Sequence, residues 1–435
     1  MKALGDYVHS AGLSFAMYTA ESTLTCGGYP ASANYEDLDA KTFADWCDFA
    51  LRGGKRGRAL ERVEFLPPRP PPLPDTLTSR GVDYLKVDGC GDNSYYPHGY
   101  AAMGAALEAS GRDIVYSCSW PAYIGSNESV KPFSTFIMDG CNLWRNWDDI
   151  QCDSGSLSSI IDYWGDWGAV LAPFAGPGHW HDPDMLLIGN GCVSIEEERT
   201  QMAIWSIVAA PLIMGNDPRK INETSKAILM NKDAIAVNQD ALGQMGVRLD
   251  NSSSVGQQRW ARNLADGSVA VGLYNKGGAP TPPNPGPPCT SWTHTTDGYY
   301  EACGGASGNV GTFSGLTPAA AQTACCSNLE CAGFSFSCDD ASCNTGSGFY
   351  KGNAMCGFTP AASYQGYFKP SVVPNATGNA ADITIDFADL SLYGACDVYD
   401  IWAQQSLGTF TGSYTAKAVN WKDTAFVRIT PAKAH

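Results

Sequence analysis

GVDYLKVDGC, residues 81–90, decides how the rest of the chain is read. Alternation along an extended strand puts Tyr84, Lys86 and Asp88 on one face. If that strand belongs to a parallel β/α barrel, Asp88 stands at its C-terminal end, where such barrels place their active sites. Charged groups pointing into a barrel are costly unless they are paired or at work. Lys86 would hold Asp88 ionised through an opposite charge a few ångströms away. A structural Lys–Asp pair at a strand end satisfies the same pattern, so both readings stand open here.

Working outward, strand and helix patterns alternate from Leu13 to about Met230. Leu13–Tyr18, Val82–Asp88 and Ile114–Cys118 read as strands. Tyr100–Ala109, Leu157–Trp167 and Glu196–Val208 read as helices. The chain opens directly into a helical pattern with Leu4, Tyr7, Val8 and Ala11 on one face and Gly12 as the stop. Alternation on this scale means parallel β/α units, in an open sheet or a closed barrel. No G-x-G-x-x-G or Walker loop follows any strand, which disfavours a nucleotide-binding sheet.

Residues 47–80 break the pattern with six prolines and a basic cluster at Arg52, Lys55, Arg56 and Arg58. The stretch has no sustained periodicity and is expected to be a disordered insertion or a retained intron. Deleting it would join Trp46 smoothly to Gly81. After about residue 250 short alternating strands take over, at Ser268–Tyr274, Ile383–Phe387 and Thr424–Ile429. They read as an antiparallel β-sandwich. A proline-rich linker at 279–288 leads into a region holding eight of the 16 cysteines, from Cys289 to Cys356. Half the cysteine in under a fifth of the chain reads as a small disulfide-stapled module, 289–368, inserted into the sandwich.

A net charge of −16 over 435 residues argues against nucleic acid as a partner. The cysteine count points to an oxidising compartment. Sequons at Asn127, Asn222, Asn251 and Asn375 agree with a secretory route, extracellular, vacuolar or lysosomal. No apolar run is long enough to span a membrane, and no signal peptide opens the chain.

Two further stretches carry acidic side chains. CNLWRNWDDIQCD (141–153) offers Asp148, Asp149 and Asp153 near Arg145, and spacing alone leaves all three open as a second carboxylate. Arg145, four residues before Asp149, could orient it bidentately. GPGHWHDPDMLLIGN (176–190) groups His179, His181, Asp182 and Asp184, but a barrel loop running into a helix accounts for them without a metal. No metal and no cofactor are expected, and no G-x-S-x-G elbow offers a serine nucleophile.

Taken in order, these stretches resemble glycoside hydrolase family 27, the α-galactosidases and α-N-acetylgalactosaminidases. The matching motifs are MYTAESTLTCGGYPAS (17–32), GVDYLKVDGC, YSCSWPAY (116–123), CNLWRNWDDI, AGPGHWHDPDMLLIGNG (175–191), QMAIWSIVAAPLIMGND (201–217) and AIAVNQDALGQMG (234–246). VAVGLYNK (269–276) and VYDIWAQQSLG (398–408) match more loosely. The resemblance implies a (β/α)₈ TIM barrel over 1–250, its first two strands missing. A C-terminal antiparallel β-sandwich over 251–435, carrying the Cys-rich insertion, would follow.

It further implies Asp88 as nucleophile and selects Asp149 as acid/base, four residues after the arginine. Tyr18, Lys86, Tyr123 and Arg145 would contact the sugar or the catalytic pair. Cys26–Cys90 and Cys118–Cys141 would be disulfides, and a Cys152–Cys192 bridge is compatible. In the specificity loop the family's galactosidases resemble C-E-W-P-L-Y. Ser119 and Ala122 are smaller, as in its N-acetylgalactosaminidases, leaving room for an N-acetyl group. The expected partners are terminal α-linked N-acetylgalactosamine or α-galactosyl glycans, and a homodimer is left open.

The family's first two strands carry a tryptophan and adjacent aspartates with no counterpart here, so the chain as written is expected to be poorly stable and nearly inactive. Two rivals follow: an α-galactosidase proper, and a non-catalytic glycan-binding protein with a degenerate barrel and an adhesive module resembling PAN/apple domains.

Overall fold

The computed structural model describes residues 1–46, 81–251, 256–277, 292–296, 298–302, 309–328, 331–340, 342–352, 355–360, 363–368 and 380–432. The expected insertion at 47–80 and the linker at 279–288 lie outside the described residues. The chain divides into two compact units. The first comprises Met1–Trp147 with Gly178–Asp182, and the second Asp148–Pro177 with Pro183–His435.

The first unit is built on five parallel strands hydrogen-bonded in chain order: β1 Ala16–Ala20, β2 Tyr84–Asp88, β3 Val115–Cys118, β4 Leu143–Arg145 and β5 Trp180–Asp182. Helices α1 Lys2–Ser10, α2 Glu36–Asp45, α3 Tyr96–Ala109 and α4 Phe133–Met138 precede or connect them. This sequential parallel order is the β/α barrel arrangement. Leu85 and Val87 of β2 are fully buried beside Tyr96, Tyr100 and Met103 of α3. The register pairs Ala20 with Asp88, Val87 with Cys118, and Arg145 with Asp182. The strands' C-terminal ends therefore lie level, and the residues that close them share one rim.

α1 departs from the expected amphipathic stripe. Leu4 and Tyr7 are exposed, at 48% and 71%, and its buried residue is Gly5. A Cβ at Gly5 would stand 3.2 Å from the Phe15 ring, so the helix meets the sheet through its smallest residue.

In the second unit α5 Ser154–Leu171, α6 Ile195–Ile207, α7 Glu223–Leu229 and α8 Lys232–Asn238 precede the β-rich part. α6 starts with a reciprocal capping box between Ser194 and Glu197, which satisfies two otherwise orphaned N–H groups. A disulfide joins Cys152 to Cys192.

The antiparallel part starts with β6 Val247–Arg248, β7 Gln257–Asn263 and β8 Val269–Asn275. Next comes the Cys-rich region: β9 Thr293–Thr295, β10 Gly298–Ala302, β11 Asn309–Leu316, α9 Pro318–Ser327, β12 Cys331–Cys338, β13 Gly346–Gly352, β14 Met355–Pro360 and β15 Tyr364–Phe368. β16 Ala381–Asp386, β17 Ala395–Asp400, β18 Gln405–Thr411, β19 Ser413–Val419 and β20 Thr424–Pro431 complete the chain.

β18-β17-β20-β8-β7-β6 form a six-stranded sheet and β16-β19 a two-stranded one. Their inward faces share one core of Val269, Val271, Leu273, Ile383, Ile385, Val398, Val427 and Ile429, the two-layer packing of a sandwich. The Cys-rich region has its own five-stranded sheet, β11-β13-β12-β15-β9, and its own core of Phe334, Phe336 and Tyr367. Cys325–Cys331 ties α9 to β12, and Cys338–Cys343 closes the turn after β12.

Candidate active site

Asp88 is the last residue of β2 and is half-buried. Three donors meet its carboxylate. The Tyr18 hydroxyl donates to Oδ2 at 2.9 Å, the Tyr123 hydroxyl to Oδ1 at 3.0 Å, and the Gly89 N–H to Oδ1 at 2.9 Å. Tyr18 comes from β1, where its register partner is Lys86. Tyr123 comes from a one-turn 3₁₀ helix, Trp120–Ile124, that follows β3.

Burial first, and then the neighbouring Asp88 charge, push the Tyr18 phenol well above its usual range. The same two causes raise Tyr123 to about 12. Both phenols therefore stay protonated and remain donors at physiological pH. The expected Lys86–Asp88 ion pair is not among the contacts of the described residues; phenols and a backbone N–H occupy the carboxylate instead. A carboxylate held in this way, at the rim of a parallel sheet, can act as a nucleophile or stabilise a developing cation.

The rim is tightly built. A Cβ on Gly89 would lie 2.5 Å from the Tyr123 ring and 2.6 Å from the Tyr96 hydroxyl, so glycine is required there. The Tyr96 hydroxyl receives the Gly91 N–H at 2.9 Å and donates to the Gly91 carbonyl at 3.1 Å. Disulfides join Cys26 to Cys90 and Cys118 to Cys141. The first ties the loop after β1 to the residue two beyond Asp88. In the specificity loop, Ser119 is buried and its N–H donates to the Val87 carbonyl at 3.0 Å, while Ala122 is partly exposed.

Arg145, 6% exposed, closes β4. A buried network underlies the next residue: the Lys131 ammonium donates to Glu128 Oε1 at 2.7 Å and to the Asn146 carbonyl at 2.5 Å, and Asn146 Nδ2 donates to Glu128 Oε2 at 3.2 Å. His181 Nδ1 receives the Trp144 indole N–H at 2.9 Å. Cys26, Cys90 and Asp88 are the one close trio of potential metal ligands among the described residues, and both sulfurs are spent in their mutual disulfide.

In the second unit Asp148 and Asp149 are exposed. Asp153 is not: its Oδ1 accepts the Ser156 N–H at 2.8 Å and caps α5. Asp184 receives the N–H groups of Ile150 and Met185, at 3.0 and 2.8 Å. Among the three aspartates that spacing left open, Asp153 thus has a structural task.

Fold and rim together define a β/α-barrel protein with an antiparallel C-terminal domain and an oriented carboxylate at a strand end. The chain belongs to the α-galactosidase A family, whose model matches residues 1–54 and 74–240. A second model, the α-galactosidase C-terminal β-sandwich domain, matches 372–429. The chain is 44% identical over 256 residues to an α-N-acetylgalactosaminidase of Gallus gallus, covering 58% of this chain and 55% of that one. It is 40% identical over 278 residues to α-galactosidase A of Homo sapiens, covering 63% and 56%. The chain thus spans about half the length of these relatives. Among solved structures, α-galactosidase I from Mortierella vinacea shares the fold with a TM-score of 0.60 at 23% identity, covering 99% of this chain and 81% of that one.

Proposed function

We propose that this protein is a retaining exo-glycosidase that removes terminal α-linked N-acetylgalactosamine, and less readily α-galactose, from glycoconjugates or oligosaccharides. The observation that carries the reading is the Asp88 carboxylate, oriented by Tyr18, Tyr123 and Gly89 at the end of β2. Family membership and the names of both relatives support it.

In the proposed double displacement Asp88 attacks the anomeric carbon while protonated Asp149 gives its proton to the departing oxygen. The product is a glycosyl ester on Asp88. Asp149, now a base, takes a proton from water, which attacks the same carbon and frees Asp88 with net retention. Such a pair works with its carboxyl groups about 5–5.5 Å apart. Lys86 and Arg145 are assigned to the sugar's hydroxyls or to the catalytic pair. Ser119 and Ala122 are assigned to the N-acetyl group. No cofactor is invoked.

Exposed Asn127, Asn222 and Asn251, together with five disulfides among the described residues, support passage through the secretory route. No described helix is long and apolar enough to cross a membrane.

The test is an activated fluoro-α-galactosyl substrate, whose ester on the enzyme turns over slowly. Peptide mass analysis should find the sugar on the peptide containing Asp88. A label on another peptide, or steady hydrolysis with inverted configuration, would sink the mechanism. Comparing p-nitrophenyl α-galactoside with its N-acetylamino counterpart tests the substrate: a strong preference for the galactoside defeats the loop argument and favours an α-galactosidase proper.

A further inference from the structure

Glu21 follows directly on β1 and is completely buried. Neither of its carboxyl oxygens meets a hydrogen-bond donor among the described residues. On the α3 side the packing is tight, since a Cβ on Gly99 would overlap Glu21 Oε2. The titratable groups that face it are Glu36 and Asp39 on α2, Tyr95 and Tyr100 on α3, and Tyr116 on β3. None of them is cationic.

Two of those neighbours are already committed as acceptors. Burial opposes ionisation of Glu36, but the Tyr95 hydroxyl at 2.5 Å and the Asn34 N–H at 2.9 Å both donate to its Oε1, and hydrogen bonding wins. Asp39 Oδ2 takes the Ser32 hydroxyl at 2.7 Å. A second anion placed beside them, without a donor of its own, would be strongly disfavoured.

Glu21 also lies next to the reacting strand. Its N–H donates to the Asp88 carbonyl at 2.7 Å. The loop it opens returns through Ser32 N–H to the Ala20 carbonyl at 3.0 Å, and carries Cys26, bonded to Cys90. The backbone at Asp88 and just beyond it is therefore held by the segment that starts at Glu21.

We infer that Glu21 is a proton latch: protonated, it seats the loop after β1 beside Asp88, and ionised, it drives that loop out. The inference deepens the proposed function, since it rests on Asp88 being the reacting carboxylate for its effect on turnover. Desolvation, and next the Glu36 charge, push the Glu21 carboxyl up to about 8. Its proton is retained in the folded chain above the ordinary glutamate range of about 4.3. The stabilisation is complete below that range and is lost as pH rises through about 8, by at most about tenfold in the folding constant per pH unit. The latch holds in acid and weakens toward alkaline pH.

The experiment compares thermal unfolding of the full chain and of Glu21→Gln from pH 5 to pH 9. Glutamine keeps the shape, never ionises and can donate to Glu36. The unsubstituted chain should lose stability across this range by a margin that Glu21→Gln does not show. The His9–Asp83 pair is common to both chains and cancels in the difference. Parallel curves would overturn the latch. Should Glu21→Gln fail to fold, infrared difference spectra of the unsubstituted chain decide: a protonated carboxyl band that disappears near pH 8 supports the latch, and its absence overturns it. Turnover is read separately: hydrolysis by neither chain at any pH would sink the hydrolase reading and leave the unfolding comparison intact.

Discussion

The hydroxyl of Tyr123 donates to Asp88 from 35 residues away in the chain, at 3.0 Å, and the same oxygen receives the Cys90 N–H at 3.3 Å. One phenol thus fixes both the carboxylate and the backbone just beyond it. Tyr18 holds the other carboxylate oxygen from the opposite neighbouring strand. Replacing either tyrosine with phenylalanine removes one hydrogen bond to a charged group, worth about 1.5–3 kcal/mol. Each variant should therefore lose about 10- to 100-fold in kcat/KM on a nitrophenyl glycoside, and the double variant should lose less than the product because both act on one carboxylate.

Gly89→Ala puts a methyl group where the Tyr123 ring and the Tyr96 hydroxyl already stand. Both must move, which costs about 1–3 kcal/mol and shifts Tyr123 away from Asp88. A lowered Tm together with a fall in kcat is expected; an unchanged Tm would show that the rim yields freely.

Glu128→Ala strips the counter-charge from Lys131, whose side chain is fully buried. Breaking a buried pair from one side typically destabilises by about 3–5 kcal/mol. The paired change Glu128→Gln with Lys131→Met should recover most of that loss, as read by urea unfolding of the two variants beside the parent.

Substituting Ser119→Glu and Ala122→Leu together fills the space assigned to the N-acetyl group. A single pocket contact of this kind shifts discrimination by about 10- to 200-fold. The ratio of kcat/KM for the N-acetylgalactosaminide over the galactoside should fall by that order. A ratio that does not move would place the substrate's 2-position elsewhere.

Much of the first unit was legible because local chemistry decides it. β2 is bounded by its period-two alternation, and Asp88 falls at the strand end where the pattern stops. The strand near Leu13 starts later than its apolar run suggests, at Ala16, because pairing with Tyr84 sets the register. Lys86 was the natural candidate to hold Asp88, being two residues away on the same face. Spacing could not reveal that Tyr18 and Tyr123 arrive from neighbouring elements. Asp153 could have been separated from Asp148 and Asp149 in advance, since an aspartate immediately before an apolar-periodic helix is an N-cap signal. Glu21 gave no such signal: a glutamate after a strand reads as solvated loop until tertiary packing buries it. The short Cys325–Cys331 and Cys338–Cys343 pairings were likewise beyond a count of cysteines.

Because Cys26 and Cys90 are covalently joined, everything from residue 27 to residue 89 sits inside a closed ring of chain, the 47–80 segment included. A protease that cuts once in that interval opens the ring without releasing either half. On a gel the nicked protein would run as one band until reductant is added, and only then part into an N-terminal fragment and the remainder. Editing or cleavage within 47–80 is in this sense a change made on a tether, with the strand that bears Asp88 still leashed to the strand that bears Tyr18.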